Sequence, residues 1–369
     1  MARYKRRPTN IDLLPGLFDD PQPEKTPQPR PAGSGSGPVA ITKKPDRRDN
    51  TPYDSPRIIG EEPPVPSPLD LADSPSIEPL PVGPPISRLT FISFGSGSSG
   101  NCAYIGTESS GILIDAGIDP TKVAAALLRA GIDMSSVAGI ILTHDHGDHI
   151  RYAYAFLRRH RHLRLYCTPK TLNGMLRRHN ISRRIKDYHQ PVFKEFPFHL
   201  GQMVITPFEV SHDGSDNVGY LIQAGQHRFV VATDMGVITP RADYYMRLAH
   251  HLMIEANYDL DMLLNGSYPE YLKARILSAT GHMDNKATAA YLADIVTPQL
   301  QNIFLCHLSH DNNNPATAIA TVTDALKAKG KSVGDFSGSI DLRGADLQVM
   351  TLPRFDTTPT LRLRLRRDQ

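Results

Sequence analysis

From Arg88 onward the chain is punctuated by short apolar runs, each bounded by polar or turn-forming residues. The runs at 89–93, 111–114, 138–142, 203–207, 219–222, 229–232, 252–255 and 302–305 are rich in β-branched and aromatic side chains. Their length and flanks predict strands rather than helices. Helical patterns alternate with some of them. Asp119 can cap a helix with Pro120 at its first position and Gly131 just past its end, so 120–130 is predicted helical. Asp284 or Asn285 can cap a helix reaching Val296, and the pattern at 315–329 runs to Gly330. No fixed short repeat is visible. Mixed strands and helices over this length predict layered α/β or α+β packing.

The first 86 residues have a different texture. Of 31 prolines in the 369-residue chain, 20 fall before residue 86. Polar, charged and small residues fill the rest, so this leader cannot bury enough apolar surface to offset its ordering entropy. It is predicted to be a disordered Pro-rich leader (1–86), with a flexible link at 32–37 and extended polyproline conformation at 63–85. The Lys5-Arg6-Arg7 cluster reads as a solvated terminus. A folded domain is expected at 87–357, long enough for one sizeable core, followed by a basic C-terminal tail at 358–369. Within that tail, 361–367 alternates like an edge strand with a basic face.

Composition narrows the class. The chain is 40% hydrophobic and 21% charged, as ordinary soluble proteins are. No run of 18 apolar residues exists, which argues against a membrane span. Residues 1–10 are basic without an apolar stretch, unlike a secretory signal. Cys102, Cys167 and Cys306 are too scattered for a disulfide framework or a CxxC zinc site, so the expected location is the reducing cytoplasm.

The chemistry concentrates at Thr143-His144-Asp145-His146-Gly147-Asp148-His149. It follows an apolar run that reads as a buried strand. Strand alternation would point His144 and His146 the same way, and Gly147 would permit the tight exit that turns Asp148 and His149 toward a neighbouring position. Imidazole and carboxylate suit zinc, manganese or iron. Further ligand types stand just past later apolar runs: His212, Asp234 and His307. Asp115 fits the same pattern and is a candidate for holding an imidazole tautomer. Cys306 should point to the opposite strand face, into the core. The Gly/Ser run at 95–100 lacks the P-loop lysine and reads as a tight turn near the cleft.

These residues resemble a known family. His144-Asp145-His146-Gly147-Asp148-His149 matches the HxHxDH signature of the metallo-β-lactamase-fold hydrolases, and Asp115, His212, Asp234 and His307 follow its remaining motifs in order. More narrowly, 94–102, Val210-Ser211-His212-Asp213, Glu255-Ala256-Asn257-Tyr258-Asp259, Gly281-His282-Met283-Asp284-Asn285 and His307-Leu308-Ser309 resemble the WalJ/YycJ-type branch. Tyr152 departs from that pattern near an expected glycine, which would narrow the cleft; Tyr258 stands where many relatives carry histidine. The resemblance implies an α+β fold, the αβ/βα four-layer sandwich. It implies two divalent metal ions, Zn2+ or Mn2+. One would be held by His144, His146 and His212, the other by Asp148, His149 and His307, with Asp234 bridging. A hydroxide between the metals would attack, Asp148 would help orient it, and His282 would contact the scissile group or protonate the leaving oxygen.

Charge then bears on the substrate. Between His149 and Asp187 lie eleven Lys or Arg residues and no acid. A single-sign field over 151–186, starting at the metal loop, would attract a polyanion. The reading is therefore a metal-dependent hydrolase acting on nucleic acid, DNA favoured, as a 5′-to-3′ exonuclease by the resemblance. The alternative is a small-molecule hydrolase of the same fold, cleaving a thioester, lactone or cyclic phosphodiester. A non-catalytic binding protein is disfavoured by the full ligand set. The stretch between Asp234 and His307 is too short for the large insertion of β-CASP nucleases. The leader is a candidate for recruiting a protein partner.

Overall fold

The computed structural model describes residues 86–334 and 345–366. The leader at 1–85 lies outside the described residues, and so do 335–344 and 367–369.

Two sheets form the centre of the fold. The first takes β1 (Leu89–Gly95), β2 (Cys102–Gly106), β3 (Gly111–Ile114), β4 (Val137–Ile141), β5 (Leu165–Cys167) and β6 (His189–Pro191). The second takes β7 (Phe198–Leu200), β8 (Met203–Glu209), β9 (Val218–Ala224), β10 (His227–Ala232), β11 (His251–Glu255), β12 (Asn302–Cys306), β13 (Val333–Gly334) and β14 (Leu347–Thr351). The chain then returns to the first sheet as β15 (Leu361–Leu363), pairing antiparallel with β1. The spatial orders are β15-β1-β2-β3-β4-β5-β6 and β13-β14-β12-β11-β10-β9-β8-β7. Residues 361–363 of the basic tail are thus the first sheet's edge strand, with Leu361 and Leu363 buried and Arg362 outward.

Both faces of each sheet are apolar, which explains why the strands read as near-continuous hydrophobic runs. In β1, Leu89 and Phe91 enter the core between the sheets, while Ile92 and Phe94 face the outer helices. In β12, Phe304 and Cys306 face the inter-sheet core, while Ile303 and Leu305 face the other side. Cys306 is a core residue, as expected. Phe91, Phe229 and Phe304 pack across the middle, with Phe91 4.6 Å from Phe304 and 5.2 Å from Phe229 between ring centroids.

Helices α1 (Pro120–Arg129), α2 (Gly147–Ile150), α3 (Ala153–Arg159) and α4 (Pro169–Arg178) belong to the first half. Val123, Leu127, Phe156, Leu157, Leu172 and Met175 cover the first sheet's outer face. Then come α5 (Pro240–Met246), α6 (Leu260–Asn265), α7 (Glu270–Ile276), α8 (Asn285–Ile295) and α9 (Pro315–Ala328). Residues of α5, α8 and α9 cover the second sheet. The result is the four-layer αβ/βα sandwich. The caps Asp119 and Asp284 behave as the sequence suggests, and Asn314 does the same for α9: each accepts from a first-turn backbone N–H. No helix among the described residues is long and apolar enough to cross a membrane.

The layers place the C-terminal ends of β3, β4, β10, β11 and β12 at one end of the sandwich. Loops leaving those ends carry the polar residues of the next section.

Candidate metal centre

The strand β4 ends at Ile141, so His144 and His146 do not lie on it. Strand alternation is therefore not what aligns them. His144 sits in the loop and His146 is the N-cap of α2, yet His144 Nε2 and His146 Nδ1 come within 3.0 Å. Helix α2 carries Asp148 and His149 in a single buried turn. Gly117 lets this turn approach closely, since a Cβ there would run into the Asp148 carbonyl oxygen.

Three non-glycine residues at the centre adopt left-handed backbone: Asp115 (φ 59°), Asp234 (φ 54°) and His307 (φ 54°). Each stands at or just past the end of a strand, β3, β10 and β12 respectively. Only one other non-glycine among the described residues, Glu195, has positive φ. Asp and His tolerate this region better than most residues but still carry strain there.

Two donor groups result. His144, His146, His212 and Asp234 form one; Asp148, His149, Asp234 and His307 form the other, and within each the donor atoms lie within 4.8 Å of one another. Asp234 Oδ2 is shared: it stands 3.5 Å from His144 Nε2, 3.2 Å from His149 Nε2 and 3.7 Å from His212 Nε2. His307 Nε2 is 3.2 Å from Asp148 Oδ2.

The outer nitrogens of His144, His149, His212 and His307 each face an acceptor, and that of His146 lies beside a carboxylate. His149 Nδ1 lies 2.8 Å from Asp115 Oδ2, the contact expected of an orienting partner. Asp115 is itself held by the backbone N–H and hydroxyl of Thr143. His144 Nδ1 meets Thr143 Oγ1 at 3.0 Å. His212 Nδ1 donates to the Gly281 carbonyl at 2.9 Å. His146 Nε2 lies 3.2 Å from Asp213 Oδ1, and His307 Nδ1 lies 3.2 Å from Glu255 Oε1. The five inner imidazole nitrogens then converge beside the carboxylates. That arrangement is what divalent-cation ligation requires. Asp148 Oδ1 is buried without a hydrogen-bond partner, so a donor or cation is missing there. The residues fit a divalent metal.

Several participants were not singled out individually in the sequence. Asn101, at the end of the Gly/Ser turn, donates to Asp148 Oδ2 at 2.9 Å and lies 2.9 Å from His149 Nε2. Asp145 points away from the cluster and ties the metal loop to the Ser215 N–H and hydroxyl, both at 2.7 Å. Glu255 is fully buried at the end of β11. Its Oε1 is 2.7 Å from His282 Nδ1 and its Oε2 accepts from Met235 and Met283 N–H. Glu255, His282 and His307 form a third donor group beside the other two. Tyr258 is buried and forms a backbone bridge to Asp284, so it is part of the frame. Tyr152, expected to narrow the cleft, packs half-buried against the helical layer.

Charge is unevenly distributed over the centre. Burial pulls the imidazoles of His149 and His307 down, but Asp148, Asp234, Asp115 and Glu255 outweigh it. His149 is held well above the usual range and His307 is pushed up to about 10. Burial would raise Asp148 and Asp234, yet His149 and His307 hold both well below the usual carboxylate range. His144 and His212 go the other way, pushed down by burial and by neighbouring imidazoles, His212 to about 4. Near neutral pH a cation must displace protons from the His149–His307 side but not from the His144–His212 side. We therefore expect metal uptake by the metal-free protein to release protons, and affinity to rise with pH toward about 10. Calorimetry in buffers of different ionisation enthalpy would read the release; buffer-independent heats would contradict it. His307 also predicts the stability of the metal-free fold. Its folded pKa exceeds the unfolded value of roughly 6.5, so its contribution is complete below that pH and is lost as pH rises through about 10.

Basic side chains lie on loops and helices that adjoin the centre. Arg151 donates to the Ser99 carbonyl at 3.1 Å, Arg178 stands 3.8 Å from Asp145, and Arg275 pairs with Asp213 at 2.7 Å. Within the stretch at 151–186, Arg158 and Arg159 close α3, and Arg177 and Arg178 close α4. There they also complement the helix dipole.

Comparison with known proteins agrees with this geometry. Residues 111–303 match the beta-lactamase superfamily domain. The exodeoxyribonuclease YycJ of Bacillus anthracis is 34% identical over 253 residues, covering 67% of this chain and 92% of the relative. The exodeoxyribonuclease WalJ of Streptococcus pneumoniae serotype 2 (strain D39) is 31% identical over 240 residues, covering 65% and 88%. Among solved structures, Zn2+-bound PqqB from Methylobacterium extorquens aligns with a TM-score of 0.51 at 16% identity, covering 75% of this chain and all of that one, a likeness of fold. The chain belongs to the metallo-β-lactamase-fold proteins, in the branch of YycJ and WalJ, and is a metal-dependent hydrolase.

Proposed function

We propose that this hydrolase is a phosphodiesterase that removes nucleotides from a nucleic-acid end, with DNA as the favoured substrate and 5′-to-3′ polarity. The observation that carries the reading is the Asp234 carboxylate shared between two converging donor groups. That set suits a pair of divalent ions, zinc or manganese: His144, His146 and His212 on one side, Asp148, His149 and His307 on the other. Bound there, such a pair would acidify water and neutralise charge on both the attacking and leaving oxygens. The names of the two relatives and the single-sign stretch at 151–186 support a polyanionic substrate.

The chain's own groups take the remaining tasks. Asp148 is held ionised, and its unpartnered Oδ1 can orient water or accept its proton. Glu255 is buried, but His282 keeps its carboxyl below the ordinary range, so it is an ionised partner for the ring. With Nδ1 held by Glu255, His282 exchanges its proton at Nε2, the atom left to serve the leaving oxygen.

End-labelled double-stranded DNA, single-stranded DNA and RNA, incubated with the purified chain and zinc or manganese, test the reading. Stepwise loss from the 5′ end of DNA is expected, and none with Asp148→Ala. No cleavage by protein that carries both ions would overturn it in favour of a small-molecule ester or cyclic phosphodiester. Neutralising the exposed Arg158, Arg159 and Arg161 should weaken DNA binding and flatten its salt dependence. An unchanged salt slope would remove the basic stretch from the argument.

A further inference from the structure

Beside the metal centre, three loops meet in a shelf that none of the groups above uses. The loop after β14 carries Arg354 and Phe355. Phe355 is 65% exposed, although it is a large apolar ring. The loop after β12 carries His310 three residues beyond His307, with its side chain 63% exposed. The two rings sit edge to face, centroids 6.3 Å apart at 65°. The Arg354 guanidinium lies 5.4 Å from the Phe355 ring centre.

Single exposed apolar residues are ordinary on protein surfaces. Here the supporting bonds set the arrangement apart. Arg354 donates to Ser99 Oγ at 3.1 Å, to the Leu308 carbonyl at 3.1 Å and to Ser98 Oγ at 3.4 Å. Ser96 of the same Gly/Ser turn accepts from the His307 backbone N–H at 2.9 Å and donates its own N–H to the Pro353 carbonyl at 3.1 Å. His310 Nδ1 lies 2.8 Å from Asp311 Oδ1, whose other oxygen accepts from the Tyr268 hydroxyl at 2.9 Å. The guanidinium and the imidazole are thus held in place, laced to the loop that carries His307, and the exposed Phe355 ring lies against both.

Exposed rings beside a cation are what a nucleobase with its phosphate recognises, because every base has a π-face and every nucleotide a negative charge. We propose that the Phe355 ring stacks the base of the nucleotide adjoining the bond to be cut, with His310 against the edge of that base and Arg354 holding that nucleotide's phosphate. The proposal rests on the nucleic-acid reading above. Stacking tolerates any base but not its absence, so the shelf would require that a base be present while ignoring sequence.

The test uses the metal-loaded full chain and nuclease-resistant phosphorothioate oligonucleotides, either ordinary or with an abasic terminal nucleotide. Wild-type protein should bind the ordinary strand about tenfold more tightly than the abasic one, and Phe355→Ala should lose that preference. The chain contains no tryptophan, so Phe355→Trp would supply a sole reporter. The fluorescence of that variant should be quenched by the ordinary strand and not by the abasic one. A Phe355→Ala protein that keeps the full preference, or a Phe355→Trp signal indifferent to the base, would overturn the shelf while leaving the nuclease reading standing. Failure of the wild-type protein to bind either strand would instead overturn both.

Discussion

Asp234→Ala should empty both halves of the metal centre at once. Its Oδ2 is the atom common to the two donor groups, within 3.7 Å of His144, His149 and His212. Removing it leaves five imidazoles and Asp148 facing one another with one carboxylate fewer. The expected loss of turnover is on the order of 10³-fold or more, since several kcal/mol of charge stabilisation go with the metals. Elemental analysis should find little metal at either position. His212→Ala, which touches one group only, should weaken chiefly that position. Asp234 also sits at φ 54°, where alanine is strained. Asp234→Asn controls for this, because asparagine tolerates left-handed backbone. Equal retention of two metals by Asp234→Ala would remove the bridging assignment.

His282→Ala should behave differently: chemistry lost, metal kept. His282 belongs to neither of the two principal groups but bonds Glu255 at 2.7 Å, and its ring stacks 5.3 Å from that of His307. A general acid contributes roughly 10²–10⁴-fold, and that is the expected fall in turnover. Metal content should be unchanged, and the limb of the pH–rate profile that reports the acid should flatten. Substrates whose leaving group needs no proton should be spared. Glu255→Gln should give a milder loss of the same kind, because it leaves the ring in place but removes the charge that orients it. Loss of metal from His282→Ala would turn the residue into a ligand and overturn its assignment as the acid.

Much of this was legible in the sequence. All eight expected strands are present, because runs buried on both faces are unmistakably apolar. Helix α1 was readable from its cap and its first-turn proline, α8 from its cap, and α9 from the pattern that starts at Pro315 and runs to Gly330. What stayed hidden had physical reasons. Helix α4 lies in the basic stretch, with Gly174 at its middle, so charge masked its amphipathic face. Strand β14 buries the polar Gln348, which breaks its apolar pattern. Helix α2 is a single turn, too short to leave a periodicity. In the centre, the ligand types His144, His146, Asp148, His149, His212, Asp234 and His307 announced themselves by clustering or by standing past strands. Of their partners, Asp115 did so as well, but Asn101 and Glu255 did not. The role of Asn101 depends on a contact with Asp148 across 47 positions, and that of Glu255 on His282 across 27. Only the fold brings such pairs together.

The left-handed corners at Asp115, Asp234 and His307 set a direction for sequence change. Glycine would occupy each corner without strain, at the cost of the side chain the centre needs. A chain that drifts to glycine there gives up its chemistry while relaxing its backbone. On backbone strain alone, decay of this enzyme toward an inert relative is downhill, and what opposes it is the reaction together with the buried hydrogen bonds these side chains make.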